Sequence, residues 1–212
     1  MNIEMKKTEI IRNGLLTGLF LQLAIGPVFF FIMNLVLQRT IYDGFAAVFA
    51  VTIVDYLYIT LAIIGVGKLL EKKKFKKIFE RVSSIILIIF GLIIINGIIS
   101  NGLANNIEIS STNLFSSFLS VFFITISSPM TIVFFTGIFT AKAVEYNYTK
   151  KQLYIFGLSV GLATFLFMSM SVIIFFFLKG AIPTLIIKIL NLLVGLVLIG
   201  YGLTRILNNL KK

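Results

Sequence analysis

The sequence contains no cysteine and no histidine, only three prolines, and charged side chains at just 13% of its 212 residues. Lacking cysteine, it has no thiol–disulfide relay and no thiolate metal site; lacking histidine, it has no imidazole for acid–base work. The charged fraction is about half the ~25% typical of soluble globular proteins. Acidic residues are scarcer still, with 8 Asp+Glu against 19 Lys+Arg and a formal net charge of +11. What fills the chain is hydrocarbon: 58% of residues are hydrophobic, above the roughly 45–50% of soluble domains. This is the composition of a membrane protein, and the chain is too short to carry a large soluble domain besides.

A bilayer core about 30 Å thick is crossed by roughly 20 helical residues at ~1.5 Å each. Apolar windows predict six spans, at Asn13–Leu37, Gly44–Gly67, Val82–Ser100, Leu114–Thr140, Leu153–Leu178 and Pro183–Ile206. Stretches such as Ile85–Ile95 are apolar all round and offer water no polar face. The basic start at Lys6, Lys7 and Arg12 runs into a hydrophobic stretch about twice the length of a signal-peptide core, so the first span is expected to persist.

Basic residues accumulate in short cytoplasmic segments. Here 16 of the 19 fall in the amino end, the loop over 68–81, the fourth-to-fifth loop at Lys142, Lys150 and Lys151, and the carboxyl end, all on one predicted side. The other side holds Arg39, Lys179 and Lys188. The excess charge therefore reads as an orientation signal with both termini cytoplasmic, not as a nucleic-acid surface. The Lys72–Lys77 cluster fits the same signal, with acidic lipid headgroups as a further partner for it.

Pro183 opens a span, where a missing N–H costs nothing. Pro27, after Gly26, and Pro129, after Ser127 and Ser128, fall midway along the first and fourth predicted spans, 102 residues apart in a chain whose half-length is 106. Matching breaks in two halves of three spans each predict an all-α membrane fold built as two inverted repeats. The expected organisation is one transmembrane domain over 1–212, with repeats at about 10–100 and 114–207 and a basic cytoplasmic loop at 68–81. A break at membrane depth is tolerated where protein or a wet cavity satisfies the freed backbone groups. There the segment after the break offers N–H groups and a positive dipole end to an anion, and the carbonyls before it face a cation. A zwitterion needs both.

Asp55 is the one carboxylate deep within a predicted span, a placement that by default marks a proton, cation or ammonium site. Thr52, Tyr56 and Tyr58 are its neighbours, and Asn34, Ser127 and Ser128 adjoin the breaks. Gln22, Asn96, Thr125, Thr131, Thr164 and Asn191 supply further hydrogen-bonding groups. Lys188 lies five residues past Pro183 and is expected to snorkel to the outer surface. The glycines at 195, 200 and 202 look like close helix packing. The candidate substrate-binding and coupling set is Asp55, Gly26, Pro27, Asn34, Ser127, Ser128, Pro129, Tyr56 and Thr52; no metal site and no cofactor is expected.

Gly18, Leu23-Ala24-Ile25-Gly26-Pro27, the Arg39…Gly44 spacing, Asp55, and Leu61…Gly65…Leu69-Leu70 resemble the amino half of LysE/RhtB-type translocators. Phe122-Phe123…Ser128-Pro129…Phe134-Phe135 resembles that family's second proline-containing helix. The resemblance implies export of amino acids or similar small metabolites across a bacterial inner membrane, driven by protons or another coupling ion, with Asp55 as the family's intramembrane aspartate and a homodimer as the assembly. The family often carries Pro-Gly-Pro and Asn-Pro-Lys where this chain has Ile25-Gly26-Pro27 and Ser128-Pro129-Met130, differences that bear on the substrate. A divalent-cation exporter is the alternative, although hard cations want several oxygens and selective sites favour histidine or cysteine. An enzyme would need an activated nucleophile or a paired acid and base, and neither has a recognisable spacing here. A scaffold would lack a polar cavity between the breaks.

Overall fold

The computed structural model describes residues 6–23, 26–65, 73–100 and 113–210. These form eight α-helices: α1 Lys7–Gln22, α2 Pro27–Gln38, α3 Ile41–Ile64, α4 Lys73–Ser100, α5 Leu114–Ile126, α6 Pro129–Tyr146, α7 Lys150–Leu178 and α8 Thr184–Leu210, with a short 3-10 turn at Lys179–Ala181 before α8. There is no strand among the described residues.

Local chemistry sets the ends. Thr40 and Asp43 form a reciprocal capping box at the start of α3, and Thr149 and Gln152 form another at the start of α7, each satisfying two orphan backbone donors. Gly65, at φ +91°, closes α3 in the left-handed conformation that glycine adopts without strain, and Asn147, at φ +52°, closes α6. Pro27 and Pro129 each occupy the first turn of a new helix. The prolines therefore open second segments instead of kinking a continuous span, because a helix start has no use for the missing N–H. The bends are correspondingly sharp: α1 meets α2 at 79°, and α5 meets the following segment Thr131–Tyr146 at 65°.

By length and apolar character, α3, Lys150–Ala181 and Leu185–Thr204 can each cross a membrane, and the two bent pairs bring the total to five among the described residues. The expected third span falls in α4, where Ser84–Gly97 is an apolar helical stretch among the described residues. The basic loop expected at 68–81 lies partly outside the described residues, and its later part is the start of α4. The polar segment at 101–112 also lies outside them.

α4 lies along α8, α1 along α7, and α3 sits among α5, α6 and α7, while α2 reaches α3, α5, α7 and α8. Close approach follows from glycine. A Cβ on Gly18 would stand 2.6 Å from that of Ala163 and 2.8 Å from the Val160 carbonyl oxygen, and Gly14 meets Ser159 the same way. On α8, Gly195 and Gly202 pack against Ile95 and Ile88 of α4 as expected, but Gly200 faces open space and has no such role. Lys188 is also not as expected: it is only 6% exposed. It shares a helix face with Asn191, which accepts a hydrogen bond from Gln38 of α2, so it lies on the side of α8 turned to protein and does not snorkel.

The turn from α2 to α3 is fixed by a polar cluster around Asp43, which is fully buried. Its carboxylate accepts from the hydroxyls of Thr40 and Ser117, both at 2.6 Å, and Arg39 donates to the same Ser117 hydroxyl at 3.0 Å. Lys179, just past α7, donates to the Arg39 carbonyl at 2.6 Å. One carboxylate and its neighbours thus hold the ends of α2, α3, α5 and α7 together.

The Gly18 contact has a measurable consequence. Gly18→Val should force α1 off α7, an overpacking that costs about 1–3 kcal/mol, and lower the thermal midpoint of detergent-purified protein. Gly200→Ala, with open space to fill, should leave that midpoint essentially unchanged.

Candidate functional site

Both helix breaks and the intramembrane carboxylate open on one cavity of about 440 Å³. From the first break come Leu21 and Gln22 at the end of α1 and Gly26, Pro27, Val28 and Phe29 at the start of α2. From the second come Thr125 of α5, Ser128 between the helices, and Thr131 of α6. Asp55 and Val51 of α3, Thr164 and Met168 of α7, Phe134 and Phe135 of α6 and Tyr201 of α8 complete the described lining.

Asp55 sits about halfway along α3 and is 7% exposed. Its Oδ2 accepts from the hydroxyl of Thr164 at 3.0 Å, and that hydroxyl oxygen accepts from the Gln22 amide at 2.7 Å. Because the Gln22 N–H occupies the Thr164 oxygen as acceptor, the hydroxyl proton is directed at Asp55. The chain Gln22–Thr164–Asp55 runs from the rim of the first break through α7 to α3, and so links the carboxylate to the end of α1.

The breaks are satisfied locally. Tyr58, three residues along α3 from Asp55, donates from its hydroxyl to the Ile126 carbonyl at 2.6 Å, capping the last turn of α5. Ser127 donates to the Phe123 carbonyl at 2.6 Å, and the Thr131 hydroxyl donates to Ser128 Oγ at 3.0 Å. Gly26 precedes α2 in an extended conformation, with its carbonyl accepting from Phe29 and Phe30.

Of the candidates read from the sequence, Asp55, Gly26, Pro27 and Ser128 converge on the cavity, and Pro129 opens the helix that follows Ser128. Ser127, Thr52, Tyr56 and Asn34 are not among its described lining residues. The Thr52 hydroxyl donates to the Val48 carbonyl of its own helix. Tyr56 packs its ring on Gly161 and donates to the Leu158 carbonyl at 3.1 Å, as a helix-packing residue does. Asn34 lies two turns beyond the first break and accepts from Gln38. Gln22, Thr125, Thr131 and Thr164 are polar lining residues that sequence reasoning left among general hydrogen-bonding groups; the first three lie within four residues of Gly26, Ser127 or Pro129 and carried that positional signal, and Thr164 carried none. Among the described residues no group of three or more Asp, Glu, His or Cys side chains could hold a metal ion.

The Thr164 hydrogen bond predicts its own test. Thr164→Val keeps the shape but removes the donor, leaving a buried acceptor short of a partner at a cost of about 1–3 kcal/mol; Thr164→Ser should hold the thermal midpoint near that of the parent. Equal midpoints for the two variants would show that this bond carries no stability.

The profile of the LysE type translocator family matches residues 19–209. No curated protein and no solved structure gives a significant match. The matched region takes in both breaks, Asp55 and every described residue of the cavity. With its apolar, membrane-crossing helices, the chain belongs to the LysE type translocator family of membrane transporters.

Proposed function

We propose that this protein is a secondary active exporter of amino acids or similar small metabolites, coupled to protons and resident in the bacterial inner membrane. The observation that carries this reading is the convergence of two broken helices and one intramembrane carboxylate on a single cavity. The charge bias of the loops supports cytoplasmic termini.

The mechanism follows from charge accounting. The amino ends of α2 and α6, each preceded by a break, turn a positive dipole end toward the carboxylate of a zwitterion. Asp55 receives its ammonium group. One carboxylate neutralises one cation at a time, so proton and ammonium compete for Asp55, and a bound proton on one side exchanges for a bound substrate on the other. That competition couples the two fluxes without a second site.

An inverted repeat of α1–α4 and α5–α8 is supported by packing that largely survives exchange of the halves. α4 pairs with α8 and α3 with α7; α1 lies on α7 as α5 lies on α3, and α2 touches α8 as α6 touches α4. Alternating access then comes from rocking one unit against the other about the fixed site.

Asp55→Asn in proteoliposomes with an imposed pH gradient should abolish proton-driven amino-acid flux while the variant still expresses and elutes as the parent does; undiminished coupled flux would remove Asp55 from the mechanism. Orientation is checked separately in this cysteine-free chain. A cysteine at Lys74→Cys should react with a membrane-impermeant maleimide in inverted vesicles and not in intact cells, and Ser110→Cys should do the reverse.

A further inference from the structure

On one side of Asp55 and Thr164 the cavity wall is hydrocarbon. Lys179, just past α7, donates to the carbonyl of Arg39, just ahead of α3, so these two helices run antiparallel with those ends together. On α3, Val51 lies one turn before Asp55; on α7, Met168 lies one turn after Thr164. In antiparallel helices these two steps point the same way, toward the Arg39 end, by about 6 Å. Val51 and Met168 both line the cavity and belong to one buried apolar cluster, against which Val28 and Phe29 pack. Phe135 of α6 also lines the cavity but belongs to another cluster, with Tyr58, Ile59 and Ala62 further along α3. Among the described lining residues, Asp55 is the one charged side chain.

Resting on the amino-acid reading above, we propose that the side-chain end of this cavity selects amino acids with uncharged, apolar side chains, and that Val51 and Met168 are its specificity-determining residues. A zwitterion that places its ammonium at Asp55 and Thr164 directs its side chain onto hydrocarbon about one helical turn away. The spacing matches the reach of a leucine, methionine or phenylalanine side chain from its α-carbon. A second ammonium, a guanidinium or a second carboxylate would be stripped of water there, with the only described charge of the lining already engaged. A cavity of about 440 Å³ lies within the roughly 300–1,000 Å³ range of small-molecule sites.

The test is counterflow in proteoliposomes holding the full-length protein, with radiolabelled leucine and a competitor panel of methionine, phenylalanine, serine, lysine, arginine and glutamate. Methionine and phenylalanine should compete at least about tenfold more strongly than the charged amino acids and serine, a difference of ~1.4 kcal/mol. Met168→Ala should raise the apparent KM for leucine by about tenfold, with the thermal midpoint of the apo protein measured alongside to separate binding from folding. Lysine, glutamate or serine competing as well as methionine would overturn the selectivity while leaving the exporter reading in place. A Met168→Ala variant that folds and transports leucine with an unchanged KM would remove Met168 as a determinant. No flux of any labelled amino acid, with the charged members labelled in turn, would overturn the exporter reading and this inference with it.

Discussion

A backbone that leaves its helix inside a bilayer must find partners for its N–H and C=O groups, since lipid supplies none. That constraint governs this molecule. Two of its helices stop and restart at sharp angles, and the interruptions are sustainable because other helices reach in to cover them. Tyr58 caps the Ile126 carbonyl from across the bundle, Ser127 folds back on its own last turn, and the prolines sit where an amide hydrogen is not required. With these satisfactions in place, the broken ends can face a cavity, and the rest of the packing converges on holding that cavity open between them.

The carboxylate in the cavity obeys the same rule in electrostatic form. Asp55 is tolerable at depth because it has a directed hydrogen bond, and the direction of that bond is set one step away by Gln22. Asp43, the other buried carboxylate described, shows the contrast. It is wrapped by Thr40, Ser117 and the neighbouring Arg39, with both oxygens occupied and no place in the cavity lining. Two acids of the same helix thus have opposite fates: Asp43 is saturated by protein and ties helix ends together, whereas Asp55 keeps bonding capacity facing open space.

What the sequence disclosed and what it concealed divide along the range of the forces involved. Proline and intramembrane charge are local signals: the prolines mark where two helices stop and restart, and Asp55 lines the cavity between those breaks. The family and the membrane class were legible for the same reason, being carried by short motifs and composition. Partners across the bundle were not. Thr164 lies 109 residues from Asp55 and 142 from Gln22, so its role is decided by the register of α1 and α3 against α7, which leaves no trace in a one-dimensional pattern. Proximity in sequence misled in the opposite sense. Tyr56 is one residue from Asp55 but about 100° further round the helix, where it meets Gly161 and not the cavity. Lys188 was misjudged because the face of α8 that looks to protein is set by α2 and α4, and an isolated span gives no hint of which side that is.

The glycine contact of α1 on α7 bears on how the chain can be made. Ile10 of α1 shares a buried cluster with residues of α3, α6 and α7, and each of the three described apolar clusters mixes residues from both sides of the 101–112 segment. Neither half therefore owns a core. Gly14 and Gly18 are synthesised some 140 residues before the surface they fit, and the long sequence separation of their contacts places this docking late in assembly. Until α7 has been made, the glycine face of the first helix has no seat within the chain.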